Sequence, residues 1–186
     1  MDSSTSTDVD KIYQRIGEFV ICYQWLENKF RQLGWLILDP VRTQWPPRLL
    51  RSESNKELID KVEDIYLNLI DTLDRLDVKD REDLKRDFTA LVADCHLLRQ
   101  YRNNLLHSAF FELKAGGDMV GILRSNPKVK IDQSSGELLF DQEQVTEQAI
   151  LKQLHKLGEL AFPLGQHYLQ LLRWSPFDSL RISKNL

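Results

Sequence analysis

The sequence predicts an all-α fold, an up-and-down four-helix bundle with a small β-hairpin or strand insertion between helices 3 and 4. Three observations predict it. Apolar residues recur at steps of three and four over four long stretches. Between the third and fourth stretches the pattern changes to short apolar runs separated by GG, SNP and QSSG. A chain of 186 residues, 42% of them hydrophobic, can bury one sizeable core and needs no second domain to account for its length. Each stripe must be covered by another, and short connections favour antiparallel neighbours.

The first helix is marked by Ile12, Ile16, Phe19, Tyr23, Leu26, Phe30, Leu33 and Ile37, an unbroken four-three repeat that Asp39-Pro40 ends. A proline-containing loop, VRTQWPPRLLRS, follows. Leu58, Val62, Ile65, Leu69, Leu73 and Leu76 predict a second helix, and a third spans about Lys79 to Leu106. AFFEL, MVGIL, KVKI and ELLF then read as short strands. A fourth helix is expected from near Gln142, with Ile150, Leu154, Leu157, Ala161, Leu164, Tyr168 and Leu171 on one face and a kink at Pro163. The expected organisation is one helical domain over 1–174, with its strand-rich insertion at 108–141, and an irregular tail over 175–186.

No secretory leader or membrane span is read from the sequence, because MDSSTSTD lacks an apolar core and Phe19 to Leu38 is interrupted by Glu27, Lys29 and Arg31. Cys22 and Cys95 lie in apolar helical runs, which suits buried reduced thiols in a cytoplasmic protein. No CxxC or HxxxH spacing suggests zinc, and no other metal or cofactor is implied. The net charge of -3 argues against a whole-surface polyanion binder. Three windows nevertheless lack carboxylates: one with Arg42, Arg48 and Arg51, one with Arg99 and Arg102, and one with Arg124, Lys128 and Lys130. They could meet at one RNA-binding surface, or they could be parts of an ordinary solvated face.

The stretch YRNNLLHS, Tyr101 to Ser108, carries the chemistry. The third stripe runs Leu84, Phe88, Leu91, Cys95, Leu98, and resumes at Leu105; position 102 belongs to it and is Arg. Asn103 and His107 lie about 40° apart around a helix and can touch if the helix persists, whereas Arg102 and His107 are about 140° apart. Imidazole moves protons near neutral pH, guanidinium matches phosphate oxygens, and an amide can fix either. Such a set could cleave RNA without a metal, the ribose 2'-hydroxyl serving as nucleophile. The bland alternative is a helix-end Arg paired with a neighbouring carboxylate and a His that complements the helix dipole.

RNNLLH closes a third long helix and precedes a small-residue turn and an aromatic strand. In this it resembles the R-x4-6-H motif of the HEPN superfamily, whose members often carry Asn directly after the Arg, as Asn103 stands here. GEFVICYQWLE resembles the first helix of abortive-infection-type and other prokaryotic HEPN proteins, and the resemblance in layout covers most of residues 10–173. It implies a metal-independent endoribonuclease, a toxin or phage-defence effector, with a composite active site at a homodimer interface. Arg102 would stabilise the phosphate, His107 would act as acid or base, and Asn103 would orient the pair. RNA, a second copy of the chain and an antitoxin protein are the partners implied. A subset of the family continues the motif as R-x4-H-x-Tyr, the Tyr being modified by a nucleotidyltransferase; Ala109 stands there in this chain, so that partner is not supported.

Glu27, beside the first apolar stripe, would on this resemblance pair with Arg102; a surface salt bridge is the competing reading. Arg99 and Gln100 are candidates for substrate binding, as are Arg48 and Trp45, the latter able to stack on a base or simply to pin its loop. His96 could extend the cleft or face solvent. The rival function is a non-catalytic HEPN-like module that binds RNA, nucleotide or protein; a plain dimeric helical scaffold is a third reading.

Overall fold

A computed structural model of the chain describes residues 4–40, 50, 54–126, 130–131, 136–139 and 141–174. Four helices are described: α1 (Ser4–Leu38), α2 (Asn55–Thr72), α3 (Val78–Leu106) and α4 (Glu147–Trp174). Between α3 and α4 lie β1 (Ala109–Ala115), β2 (Asp118–Ser125), β3 (Lys130–Ile131), β4 (Leu138–Leu139) and β5 (Gln142–Val145). The fold is thus mostly helical, a helical bundle with a strand insertion where the periodicity changes. Among the described residues, no helix is long and apolar enough to cross a membrane. The expected loop residues 41–49 and tail residues 175–186 lie outside the described residues.

Two compact units are distinguished: Met1–Tyr23 with Leu98–Lys156, and Gln24–Leu97 with Leu157–Leu186. In the second unit, segments of all four helices meet around aromatic rings. Tyr66 of α2 stacks on Phe88 of α3 with centroids 4.0 Å apart, and Phe88 also approaches Phe30 of α1 and His167 of α4. Phe30, Tyr66 and Phe88 are fully buried, and each such side chain stabilises the unit by roughly 1.5–3 kcal/mol through its removal from water. His167 is buried as well, its Nδ1 2.8 Å from the Tyr66 hydroxyl, which satisfies both polar tips inside an apolar cluster. Burial lowers the His167 pKa, with nearby Asp87 opposing it, and burial raises that of the Tyr66 phenol.

Helix α2 differs from expectation in two ways. Its buried residues are Leu58, Ile59, Val62, Tyr66 and Ile70, whereas Ile65 and Leu69 of the expected stripe are half-buried. The aromatic stack on Phe88 turns Tyr66 inward and rotates the covered face. The helix also stops at Thr72, where Leu73 leaves helical geometry with φ -85° and ψ 90°, so Leu73 and Leu76 lie beyond it. At its start Ser54 accepts from the Glu57 amide while the Glu57 carboxylate accepts from the Ser54 amide, a reciprocal cap.

In the first unit, Phe19 of α1 meets Tyr101 of α3 edge-on, with centroids 5.2 Å apart, and Arg15 of α1 donates to Glu147 of α4. The sheet has the order β1-β2-β5 and is antiparallel throughout; a separate two-stranded ladder joins β3 to β4. Gly116 and Gly117, with φ of 63° and 96°, make the two-residue β1–β2 turn, whose twist demands positive φ at both positions. Strand β5 corrects the expected start of the fourth helix: Gln142–Val145 pairs with Ile122–Ser125, and the helix begins at Glu147, capped by the Thr146 hydroxyl. QEQV carries one apolar residue, so its strand character comes from the ladder and from Val145, which is buried, not from periodicity. Helix α4 continues through Pro163 as one helix.

Candidate functional site

Helix α3 delivers the motif. Phe88, Leu91, Cys95, Leu98 and Leu105 of its stripe are all buried, as the repeat requires. Arg102, inserted between Leu98 and Leu105, is half-buried, and its Nε is buried with no hydrogen-bond partner among the described residues. Its Nη1 donates to Asn103 Oδ1 at 3.1 Å, and among the described residues no carboxylate lies within ion-pair distance of it. The contrast with other guanidinium groups is direct, since Arg15, Arg31, Arg86 and Arg124 all face carboxylates. A buried donor without an acceptor costs about 1–3 kcal/mol, more when it belongs to a charged group.

The helix persists far enough for Asn103 and His107 to share a face, because the His107 amide donates to the Asn103 carbonyl at 3.0 Å. His107 itself lies in the closing turn and is exposed. Asn103 is therefore the hub of the motif: its amide oxygen holds Arg102, and its carbonyl holds the backbone of His107. Among the described residues the His107 imidazole makes no hydrogen bond.

Ser108 fixes the turn. Its hydroxyl donates to the Asn104 carbonyl at 2.5 Å and accepts from Arg124 Nη1 at 3.3 Å. Arg124, on β2, is buried; its Nη2 donates to Glu143 Oε2 at 2.8 Å and lies 3.7 Å from Asp141. Arg124 and Glu143 are cross-strand partners in the β2–β5 ladder, which accounts for their meeting. This corrects one of the three basic windows: Arg124 is not part of an exposed cationic surface, because β5 supplies the carboxylates that its own stretch of sequence lacks. It is also the residue of this region that the sequence reading missed as a support for the motif. Its only sequence signal was a lone charge at an inward position of an apolar strand.

The other candidates divide. Arg99 is half-buried and Gln100 exposed on the same stretch of α3 as the motif. Glu27 is taken up by Arg31, whose Nη2 donates to it at 2.8 Å while Nη1 donates to the Leu50 carbonyl at 2.6 Å. The expected pairing of Glu27 with Arg102 is thus replaced by an i,i+4 pair on α1, the competing reading. His96 Nε2 lies 2.9 Å from Asp60 of α2, which ties two helices of the second unit together. Burial pushes the Asp60 carboxyl up, but the Lys56 hydrogen bond and the charges of Lys56 and His96 outweigh it and hold the carboxyl below its usual range. Trp45 and Arg48 lie outside the described residues, as do Arg42, Arg51 and Lys128. Both cysteines are free; Cys95 is buried, and burial, with Asp94 adding to it, pushes its thiol up to about 12.

A cleft of about 230 Å³ opens beside the motif turn, between the last turns of α3, strands β2 and β5, and the first turns of α4. Tyr101, Asn104, Arg124, Glu143 and Gln153 give it polar walls. Burial raises the pKa of the Tyr101 phenol, Glu143 raises it further, and Arg124 opposes them.

Comparison with known proteins gives no assignment: no family model, no curated protein and no solved structure matches the chain.

Proposed function

We propose that this protein is a HEPN-type, metal-independent endoribonuclease whose active site is completed by a second copy of the chain, acting as a toxin or phage-defence effector. The observation that carries the reading is Arg102: a guanidinium set into an apolar stripe, with a buried Nε that has no acceptor and no carboxylate partner among the described residues, five residues ahead of an exposed His. A structural arginine at such a position normally has its charge paired. One that holds only an amide, through Nη1, keeps its Nη2 donors for an anion from outside, and a phosphodiester oxygen can accept from them.

In the proposed reaction the ribose 2'-hydroxyl attacks the adjacent phosphorus and its proton passes to His107. The bond to the 5'-oxygen breaks, and that oxygen takes up a proton from the imidazolium of the second copy's equivalent histidine. Arg102 holds the charge on the phosphorane, and Asn103 keeps the guanidinium in place. The products are a 2',3'-cyclic phosphate and a 5'-hydroxyl. Two protomers ease the separation of about 140° between Arg102 and His107 on one helix.

A second reading, a binding module that retains the motif without cutting, is favoured by one observation: no side chain among the described residues orients the His107 ring. Cleavage of a mixed RNA by the purified chain in EDTA, beside Arg102→Ala and His107→Ala, decides between the two. Cyclic-phosphate ends that vanish in both variants support the ribonuclease. Intact RNA with a folded, dimeric protein refutes it and leaves the binding module.

A further inference from the structure

We propose that the cleft between α3, the sheet and α4 is a base-recognition subsite that takes one nucleobase of the bound RNA, a base bearing an exocyclic amine. The choice of ligand rests on the ribonuclease reading of the Arg102–His107 motif; the construction of the cleft does not.

Size comes first. Sites for drug-sized ligands run from roughly 300 Å³ upward. At about 230 Å³ this cleft suits a single planar heterocycle and not a whole nucleotide or a peptide segment. Leu105, Val145 and Ala149 supply apolar surface for the faces of a ring.

Hydrogen-bonding capacity comes second. Tyr101, Asn104 and Gln153 all line the cleft, and among the described residues no side-chain hydrogen bond engages the Tyr101 hydroxyl or the amide of either of the other two. Glu143 spends Oε2 on Arg124, so Oε1 remains as an acceptor. The cleft therefore offers one dedicated acceptor, two groups that both donate and accept, and a phenol, all beside an apolar wall. Arg124 and Glu143 offset each other and Asp141 behind adds a further negative charge, so a free anion is not favoured. A neutral ring with an amine for Glu143 and ring nitrogens or a carbonyl for the amides meets every requirement. Uracil offers the carboxylate only its N3–H, flanked on both sides by carbonyl oxygens that oppose Glu143, where an amine-bearing base offers an NH2 donor.

The position is suitable. Arg124 lines the cleft and also donates to the hydroxyl of Ser108, the residue that follows His107, so one side chain ties the wall of the cleft to the turn carrying the histidine. A base seated there would set which phosphodiester reaches the motif.

The experiment is a titration of the full-length chain carrying His107→Ala with adenosine, guanosine, cytidine and uridine, followed by NMR, with Tyr101→Phe and Gln153→Ala introduced separately. Tyr101→Phe keeps the ring that packs on Phe19 and removes only the hydroxyl. At least one amine-bearing nucleoside should bind about tenfold more tightly than uridine, and each variant should weaken it by up to about tenfold, the loss expected for one unmade hydrogen bond. Equal binding of all four, no binding of any, or an unchanged Kd in both variants would overturn the subsite. Selective nucleoside binding by a chain that leaves RNA intact in EDTA would sink the ribonuclease and keep the subsite. Cleavage without nucleoside selectivity would do the reverse.

Discussion

Replacing Arg124 by Met tests how the motif turn is held. Methionine preserves an unbranched apolar stem but removes the donors that reach Ser108 at 3.3 Å and Glu143 at 2.8 Å. Hydrogen bonds to charged groups contribute about 1.5–3 kcal/mol. The larger loss of about 3–5 kcal/mol seen when a buried charge is stranded does not apply. The partner left behind, Glu143, has a side chain 57% exposed and regains water at once. The expected destabilisation is therefore about 2 kcal/mol, which for a chain of this length lowers Tm by roughly 4–8 °C. Thermal unfolding followed by circular dichroism measures it, and Glu143→Gln alone and combined with Arg124→Met completes a double-mutant cycle. Arg124 and Glu143 should couple by about 1–2 kcal/mol. Hydrogen exchange supplies a local readout, since the His107 amide, bonded to the Asn103 carbonyl, should lose protection when Ser108 loses its second partner. A Tm within about 1 °C of the parent, together with zero coupling, would refute the idea that this ion pair anchors the turn.

The remaining predictions concern packing and pH. Burial depresses the His167 pKa below its unfolded value of about 6.5, so folding disfavours the protonated ring. Its contribution to stability is complete above that pH and is lost as pH falls toward the folded-state pKa, at up to about 1.4 kcal/mol per pH unit. His167→Gln, which can still accept from Tyr66, should flatten the fall in Tm between about pH 7 and 5 relative to the parent; an unchanged slope would show that His167 titrates as an exposed residue. Gly158 and Gly165 lie inside α4 with nothing within 4 Å of an added Cβ, so alanine at either should stabilise by up to about 1 kcal/mol. At Gly34 the same Cβ would come within 2.8 Å of Val62 and 2.9 Å of Leu50, and overpacking should reverse the sign by about 1 kcal/mol in chemical denaturation. A stabilised Gly34→Ala would contradict the close approach described there.

Much of the scaffold was legible in the sequence because helix periodicity is a local property. The stretch from about Lys79 to Leu106 marks α3 almost to its ends, the repeat from Ile12 to Ile37 marks α1 to its end but misses its first two turns from Ser4, and the GG turn placed the first hairpin. The RNNLLH motif could likewise be found by eye, and with it the anomaly of Arg102. Where the local pattern failed, a distant residue had decided the outcome. Tyr66 is buried in place of Ile65 because Phe88 offers it a ring to stack on. Gln142–Val145 is a strand because β2 presents an open edge to it, and nothing in QEQV announces this. Glu27 faces Arg31 and Leu50 through an arrangement that spacing alone leaves open.

What the sequence by itself determined is the set of amphipathic helices, the break to strands after position 108, and the identity of the charged and titratable groups at the end of α3. Only the tertiary structure decided which of those groups have partners. Antiparallel pairing set Glu143 against Arg124 and so turned a seemingly free cation into the brace of the motif turn. Among the described residues, the Nε of Arg102 is left buried without an acceptor. The physical reason is that a charge is spent or available according to what stands within a few ångströms of it, and residues that far apart in sequence meet only when the chain has folded.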